Sequence, residues 1–174
     1  PGLLLFVGRL EPEKRPLDAV AVMARLAGSG VRGVVIGAGS LETAVRAAAA
    51  AAPPGAVEVR GAVSEEELLA AYAAAAVLLV PSRYEGLGLV ALEAMAAGAA
   101  VVGYDVPGLR DAVAGRGRLV PGGDREAMAR AAAALLASPG ERAELASTAR
   151  DAVVAAHSWD AVAARVEEVY RAVS

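Results

Sequence analysis

The sequence predicts an α/β fold built on a doubly wound parallel sheet, and three observations carry that prediction. Short apolar runs recur without alternation, each closed by glycine or proline: residues 3–7 (LLLFV) before Gly8, Val31–Ile36 before Gly37, and Val77–Val80 before Pro81. Runs of this kind read as strands buried on both faces. Between them lie segments with helix-start and helix-stop residues at their ends. Strand and helix therefore alternate at the spacing of βαβ units.

Taken in order, residues 3–7 form the first strand. A helix follows over residues 16–27, with Pro16 tolerated in its first turn and Gly28 beyond its end. Val31–Ile36 is the second strand. Ser40 is placed to cap a helix over residues 41–52, which Pro53-Pro54 stops. A short third strand covers residues 57–59 and ends at Gly61. Ser64 and Glu67 have the spacing of a capping box and open a helix that runs through Tyr72. The fourth strand is Val77–Val80, and the loop from Pro81 to Gly86 leads into a helix ending near Ala97. Residues 100–103 and Arg118–Val120 are the fifth and sixth strands. Asp124 caps a helix to Ala137, and two more helices follow, over residues 141–156 and 159–172.

The 174 residues suffice for one domain, and they are 56% hydrophobic and 21% charged, a globular composition. The net charge of −3 offers no basic face for nucleic acid, and one Phe and one Trp give no platform for stacking bases. The absence of Cys removes disulfides, thiolate metal sites and a Cys nucleophile. The longest apolar stretch, around residues 70–80, is too short to span a bilayer. No initiating Met precedes Pro1, which reads as a piece of a longer chain.

Ligands of a doubly wound sheet bind beyond the carboxyl ends of its strands, where strand order reverses. Three loops of interest leave those ends. Gly8-Arg9-Leu10-Glu11-Pro12-Glu13-Lys14 places two cations beside a glycine, which suits a diphosphate; the same cations could instead pair with Glu11 and Glu13. Gly37-Ala38-Gly39 lacks the third glycine of a dinucleotide fingerprint, since Glu42 occupies that position. No acidic residue closes the next strand, which ends in Arg60 and Gly61, so a dehydrogenase is set aside. The third loop carries the argument. Residues 82–98 read SRYEGLGLVALEAMAAG, a turn opening a helix. The first-turn amides of Gly88, Leu89 and Val90 form an anion site with the helix dipole behind them. Glu85 and Glu93 are candidates for sugar hydroxyls, because carboxylates accept from paired hydroxyls and are repelled by phosphate. The apolar neighbours of Glu93 argue against a solvated position for it.

With these motifs in place, the chain resembles the C-terminal donor-binding domain of retaining glycosyltransferases of the GT-B fold, family 4 (group 1). The resemblance rests on Gly8-Arg9-Leu10 to Lys14, Gly37-x-Gly39, Gly61, Pro81-Ser82 and the Glu85-x7-Glu93 motif, with Ser158-Trp159 opening a closing helix within residues 156–174. It implies a Rossmann-like domain over residues 1–174 and an N-terminal acceptor domain outside them. It implies that Arg9 and Lys14 bind the donor diphosphate as leaving group and that Glu85 meets the donor sugar near the reacting carbon. Gly86, Leu87 and Gly88 would hold the sugar, the Leu89 and Val90 amides the phosphate, and Glu93 the ribose. Gly8 would allow close approach, and Gly37, Arg60, Gly61 and Val63 would line the nucleobase. Neither metal nor cofactor is implied; the donor would be a UDP-, GDP- or ADP-sugar, and nucleic acid is not a partner. A cytoplasmic enzyme is implied, with any membrane association running through the N-terminal domain. Leu87 stands where the family often has Phe. The only histidine, His157, reads as structural or surface. Two other readings stay open here: a non-catalytic nucleotide-sugar-binding module, and a related GT-B epimerase or phosphorylase.

Overall fold

The computed structural model describes residues 2–28 and 30–173; Pro1, Ser29 and Ser174 lie outside the described residues. Six strands form one parallel sheet: β1 (Gly2–Val7), β2 (Val31–Ile36), β3 (Val57–Gly61), β4 (Val77–Val80), β5 (Ala100–Tyr104) and β6 (Arg118–Val120). Their spatial order is β3-β2-β1-β4-β5-β6. That is the doubly wound order in which the chain starts at the centre, builds outward to one edge, then returns to build the other. The reversal falls between β1 and β4.

Burial explains why the strands lack alternation. Leu4, Leu5 and Phe6 in β1 and all four residues of β4 are buried. Successive strand residues point to opposite faces, so both faces of the central sheet are covered. Eight helices connect and cover the strands among the described residues: α1 (Pro16–Leu26), α2 (Glu42–Ala51), α3 (Glu65–Ala74), α4 (Leu89–Ala96), α5 (Pro107–Val113), α6 (Arg125–Ala137), α7 (Pro139–His157) and α8 (Trp159–Val173). Helix α1 buries Pro16, Ala19, Val20, Val22 and Met23, a stripe at helical spacing, and lies beside α2 and α6. Helix α4 is apolar nearly all round and packs on α7 and α5.

The expected elements are present, with small shifts at their ends. Two were not expected. A 3-10 turn covers Pro12–Lys14, and α5 fills the connection between β5 and β6. The expected cap of α2 is a correction. Ser40 does not cap it; the N-cap is Leu41, without a side-chain bond. The Ser40 amide and hydroxyl donate instead to the Glu11 carboxylate, at 2.8 and 2.5 Å. Those bonds hold Glu11 below the usual carboxylate range, the hydroxyl contributing most. The caps of α3 and α6 are as read: Ser64 and Glu67 form both halves of the capping box, and Asp124 accepts from the Ala127 amide. His157 is exposed at the end of α7. Helix α8 buries no residue, and Trp159 at its start is 89% exposed. No helix among the described residues is long and apolar enough to cross a membrane.

Candidate donor-binding site

The loops after β1 and β4 flank the point where strand order reverses, and two contacts join them. The Arg83 amide donates to the Glu13 carbonyl at 2.8 Å. Lys14 Nζ donates to Glu85 Oε1 at 2.7 Å, across 71 residues of sequence. Their side chains are 23% and 7% exposed, so this ion pair is largely shielded from water. The Ser82 hydroxyl donates to the same carboxylate oxygen at 2.6 Å. Ser82 is the one buried polar residue among the described residues. A buried hydroxyl needs a partner, and Glu85 supplies it. Glu85 therefore has two donors fixing one oxygen, one from each loop.

The backbone that carries Lys14 is held in an uncommon shape. Arg15 has φ 48°, in the left-handed region, between the 3-10 turn and α1. A non-glycine residue there is strained. Its guanidinium lies 5.7 Å from the centre of the Tyr104 ring and 3.6 Å from Asp18, and the Tyr104 hydroxyl donates to Asp18 at 2.8 Å. This cluster at the end of β5 offsets the strain and fixes where Lys14 starts. Arg9 is different. It pairs with Glu13 at 2.8 Å with its side chain 69% exposed. The alternative of pairing with the loop's own glutamates thus holds for Arg9 and not for Lys14.

Of the glycines that follow β1, β2 and β3, Gly37 sits at a close backbone approach. The Gly8 amide donates to the Ile36 carbonyl and the Gly37 amide to the Gly61 carbonyl, so the ends of β1, β2 and β3 are stitched side by side. A Cβ on Gly37 would sit 1.9 Å from the Gly8 carbonyl oxygen. No side chain fits there. Arg60 pairs with Glu58 at 2.8 Å. Val63 is half-buried against the core.

In the turn before α4, Gly88 is the N-cap with φ 67°, and the helix starts at Leu89. The Leu89 and Val90 amides therefore have no carbonyl within the helix to reach. Gly86 and Leu87 are exposed, as is Leu89, while Val90 is half-buried. Glu93 is a correction. It is exposed, despite its apolar neighbours in sequence, because Leu92, Ala94 and Met95 point into the core on the other side of α4. Its Oε2 accepts from the Tyr72 hydroxyl of α3 at 2.8 Å. Burial, and then the Glu93 carboxylate, push the Tyr72 phenol well above its ordinary range, so it stays protonated and donates. Glu85 and Glu93 thus share no hydrogen bond; each has partners of its own.

Two residues of the site, Tyr72 and Gly108, had no role assigned from sequence, and Ser82 entered only as part of the Pro81-Ser82 segment. Ser82 and Tyr72 anchor the two glutamates. Gly108, in the first turn of α5, lies under the Glu85-Gly86 turn: a Cβ there would be 2.1 Å from the Glu85 carbonyl oxygen and 2.6 Å from that of Gly86. The Pro107-Gly108 pair was a visible helix-start signal. Nothing local connects it to Glu85. Among the described residues, no group of three or more His, Asp or Glu side chains is arranged to hold a metal ion.

This architecture is shared with known proteins. The profile of the family described as glycosyl transferases group 1 matches residues 1–152. The chain belongs to the group 1 glycosyltransferase family. A D-inositol 3-phosphate glycosyltransferase of Xylanimonas cellulosilytica is 42% identical over 175 residues, covering 97% of this chain and 42% of that protein. Among solved structures, sucrose-phosphate synthase from Thermosynechococcus elongatus superposes with a TM-score of 0.84 at 32% identity, over 99% of this chain and 45% of that one. TarM of S. aureus, solved with UDP, superposes with a TM-score of 0.81 over 97% of this chain and 35% of that one; at 21% identity this likeness speaks to fold alone. The group 1 chain described here spans less than half the length of these relatives. Its sheet is the Rossmann-like domain of the GT-B architecture, and its cation pair, glycine turns and α4 N-terminus lie on one edge of it.

Proposed function

We propose that this chain is the donor-binding half of a retaining, family 4 glycosyltransferase that moves a sugar from a nucleoside-diphosphate sugar to an acceptor hydroxyl. The observation that carries the reading is the Lys14–Glu85 pair at the point of strand reversal. It brings a cation and a carboxylate from two different loops beside a glycine-rich helix start. A diphosphate needs the first and the last of these; a sugar needs the carboxylate.

In this reading Lys14 and Arg9 take the diphosphate, together with the Leu89 and Val90 amides and the α4 dipole. Arg9, exposed and paired with Glu13, swings onto the ligand. The bond between the anomeric carbon and the diphosphate oxygen breaks, and negative charge builds on the leaving group. Donors fixed in advance, such as the helix amides, are worth most at that moment, and with the two cations they supply the charge that a metal supplies elsewhere. The acceptor oxygen bonds to the anomeric carbon on the face the diphosphate leaves, and its proton passes to the departing phosphate. Glu85, held by Ser82, meets the sugar beside that carbon, and Gly86, Leu87 and Gly88 leave room for the ring. Glu93 takes the ribose hydroxyls. Gly8 allows the ligand a close approach to the backbone, and Gly37, Gly61, Arg60 and Val63 border the nucleobase, with Arg60 leaving Glu58 to do so. An N-terminal domain supplies the acceptor side and any contact with a membrane, and the enzyme works in the cytoplasm.

Calorimetric titration of the chain with UDP, GDP and ADP tests this. At least one is expected to bind, and Lys14→Ala is expected to cost about 1–3 kcal/mol of that binding. Silence with all three at millimolar concentration would sink the reading.

A further inference from the structure

Glu93 is exposed on α4, yet one of its oxygens is tied to a residue of the core. Tyr72 is 1% exposed, and its hydroxyl reaches Glu93 Oε2 at 2.8 Å. Three features of this contact matter. The phenol stays protonated, so it can only donate to the carboxylate. The ring is locked by packing, so the donor does not move. The other oxygen, Oε1, has no partner among the described residues.

An exposed glutamate samples many rotamers, and a ligand that uses it must first freeze it. A donor fixed in the core removes that freedom before the ligand arrives. We propose that Tyr72 is a positioning residue for ribose recognition: it holds Glu93 so that Oε1 faces the paired hydroxyls of the nucleotide ribose. The inference rests on the reading of Glu93 as the ribose acceptor given above. It adds the residue that makes Glu93 selective, and it places a specificity determinant on α3, outside every glycine-rich loop. A purely structural role for Tyr72, in which Glu93 merely satisfies a buried hydroxyl, would change stability and leave ligand preference alone.

The test is the ratio of affinities for ADP, GDP and UDP to those of their 2′,3′-dideoxy counterparts, measured by calorimetry on this chain. The unaltered chain is expected to prefer the ribonucleotides. Tyr72→Phe, which removes one oxygen and keeps the ring, is expected to shrink that preference by about 3- to 10-fold while dideoxynucleotide affinity holds. Glu93→Gln is expected to shrink it at least as far, and adding Tyr72→Phe to Glu93→Gln to change it no further. If Glu93→Gln reduces the preference and Tyr72→Phe does not, the role of Tyr72 is overturned and that of Glu93 stands. If Glu93→Gln has no effect, or no nucleotide binds, the ribose reading falls and the role of Tyr72 with it. Glu93→Asp leaves the core untouched and pulls the carboxylate out of reach of the Tyr72 hydroxyl. A full ribose preference in that variant would also overturn the proposal.

Discussion

Glu85→Gln should tighten nucleoside diphosphate binding, although it alters a residue of the site. In the free chain Lys14 is already engaged, 2.7 Å from Glu85 Oε1. An incoming diphosphate has to share or displace that partner. A charge-assisted bond is worth about 1.5–3 kcal/mol net. Lys14 is 23% exposed on a flexible stem, which puts this pair toward the lower end. The ammonium also has three donors, so it can serve phosphate without wholly releasing Glu85. The recoverable share is therefore about 1 kcal/mol, a gain of roughly 5-fold in affinity. Glutamine keeps the size of the side chain and an oxygen for the Ser82 hydroxyl, so the fold should hold. Titration calorimetry with the nucleotide that binds the unaltered chain reads the effect directly. The gain should vanish when Lys14→Ala is already present, because the competitor then has nothing to withhold. An affinity equal to or below that of the unaltered chain would refute the idea that Glu85 and the diphosphate compete for Lys14. A gain that survives Lys14→Ala would refute it too.

Two further outcomes are expected. Gly108→Ala puts a methyl group 2.1 Å from the Glu85 carbonyl oxygen, so the turn before α4 has to move. The variant should lose about 1–3 kcal/mol of stability in thermal melts and more than about 10-fold in nucleotide affinity; unchanged affinity would mean that the position of that turn is immaterial. Glu67→Gln tests the capping box. The Ser64 amide, and then its hydroxyl, hold the Glu67 carboxyl below the usual carboxylate range. A lowered value in the folded state stabilises above the unfolded value of about 4.3, and the contribution is lost as pH falls through the folded one. The variant should therefore melt below the unaltered chain at pH 7, and the gap should close as the pH drops below about 4. A gap that stays constant would show that the Glu67 charge is not what stabilises α3.

Local signals were read correctly where the physics is local. The capping box at Ser64 and Glu67, the Asp124 cap, and the unalternated runs of β1 and β4 depend on neighbours within a few residues. The three departures from expectation have three separate causes. Ser40 sits where a cap belongs, but a carboxylate 29 residues away captured it first. Glu93 has apolar neighbours in sequence, yet each helical step turns the chain by about 100°, so the residues beside it face inward while it faces out. Helix α5 was missed because seven residues are too few for a periodic pattern to declare itself.

The amino-acid sequence by itself determined the α/β alternation, the glycine turns and the helix start that lie along one edge of the sheet. Backbone geometry and burial act over short spans, so the order of residues suffices for these. Only the tertiary structure decided that Lys14 would meet Glu85, that Ser82 would hold the same carboxylate, and that Tyr72 would reach up from α3 to Glu93. Side chains find such partners across strands whose order, β3-β2-β1-β4-β5-β6, is set by how the whole chain packs.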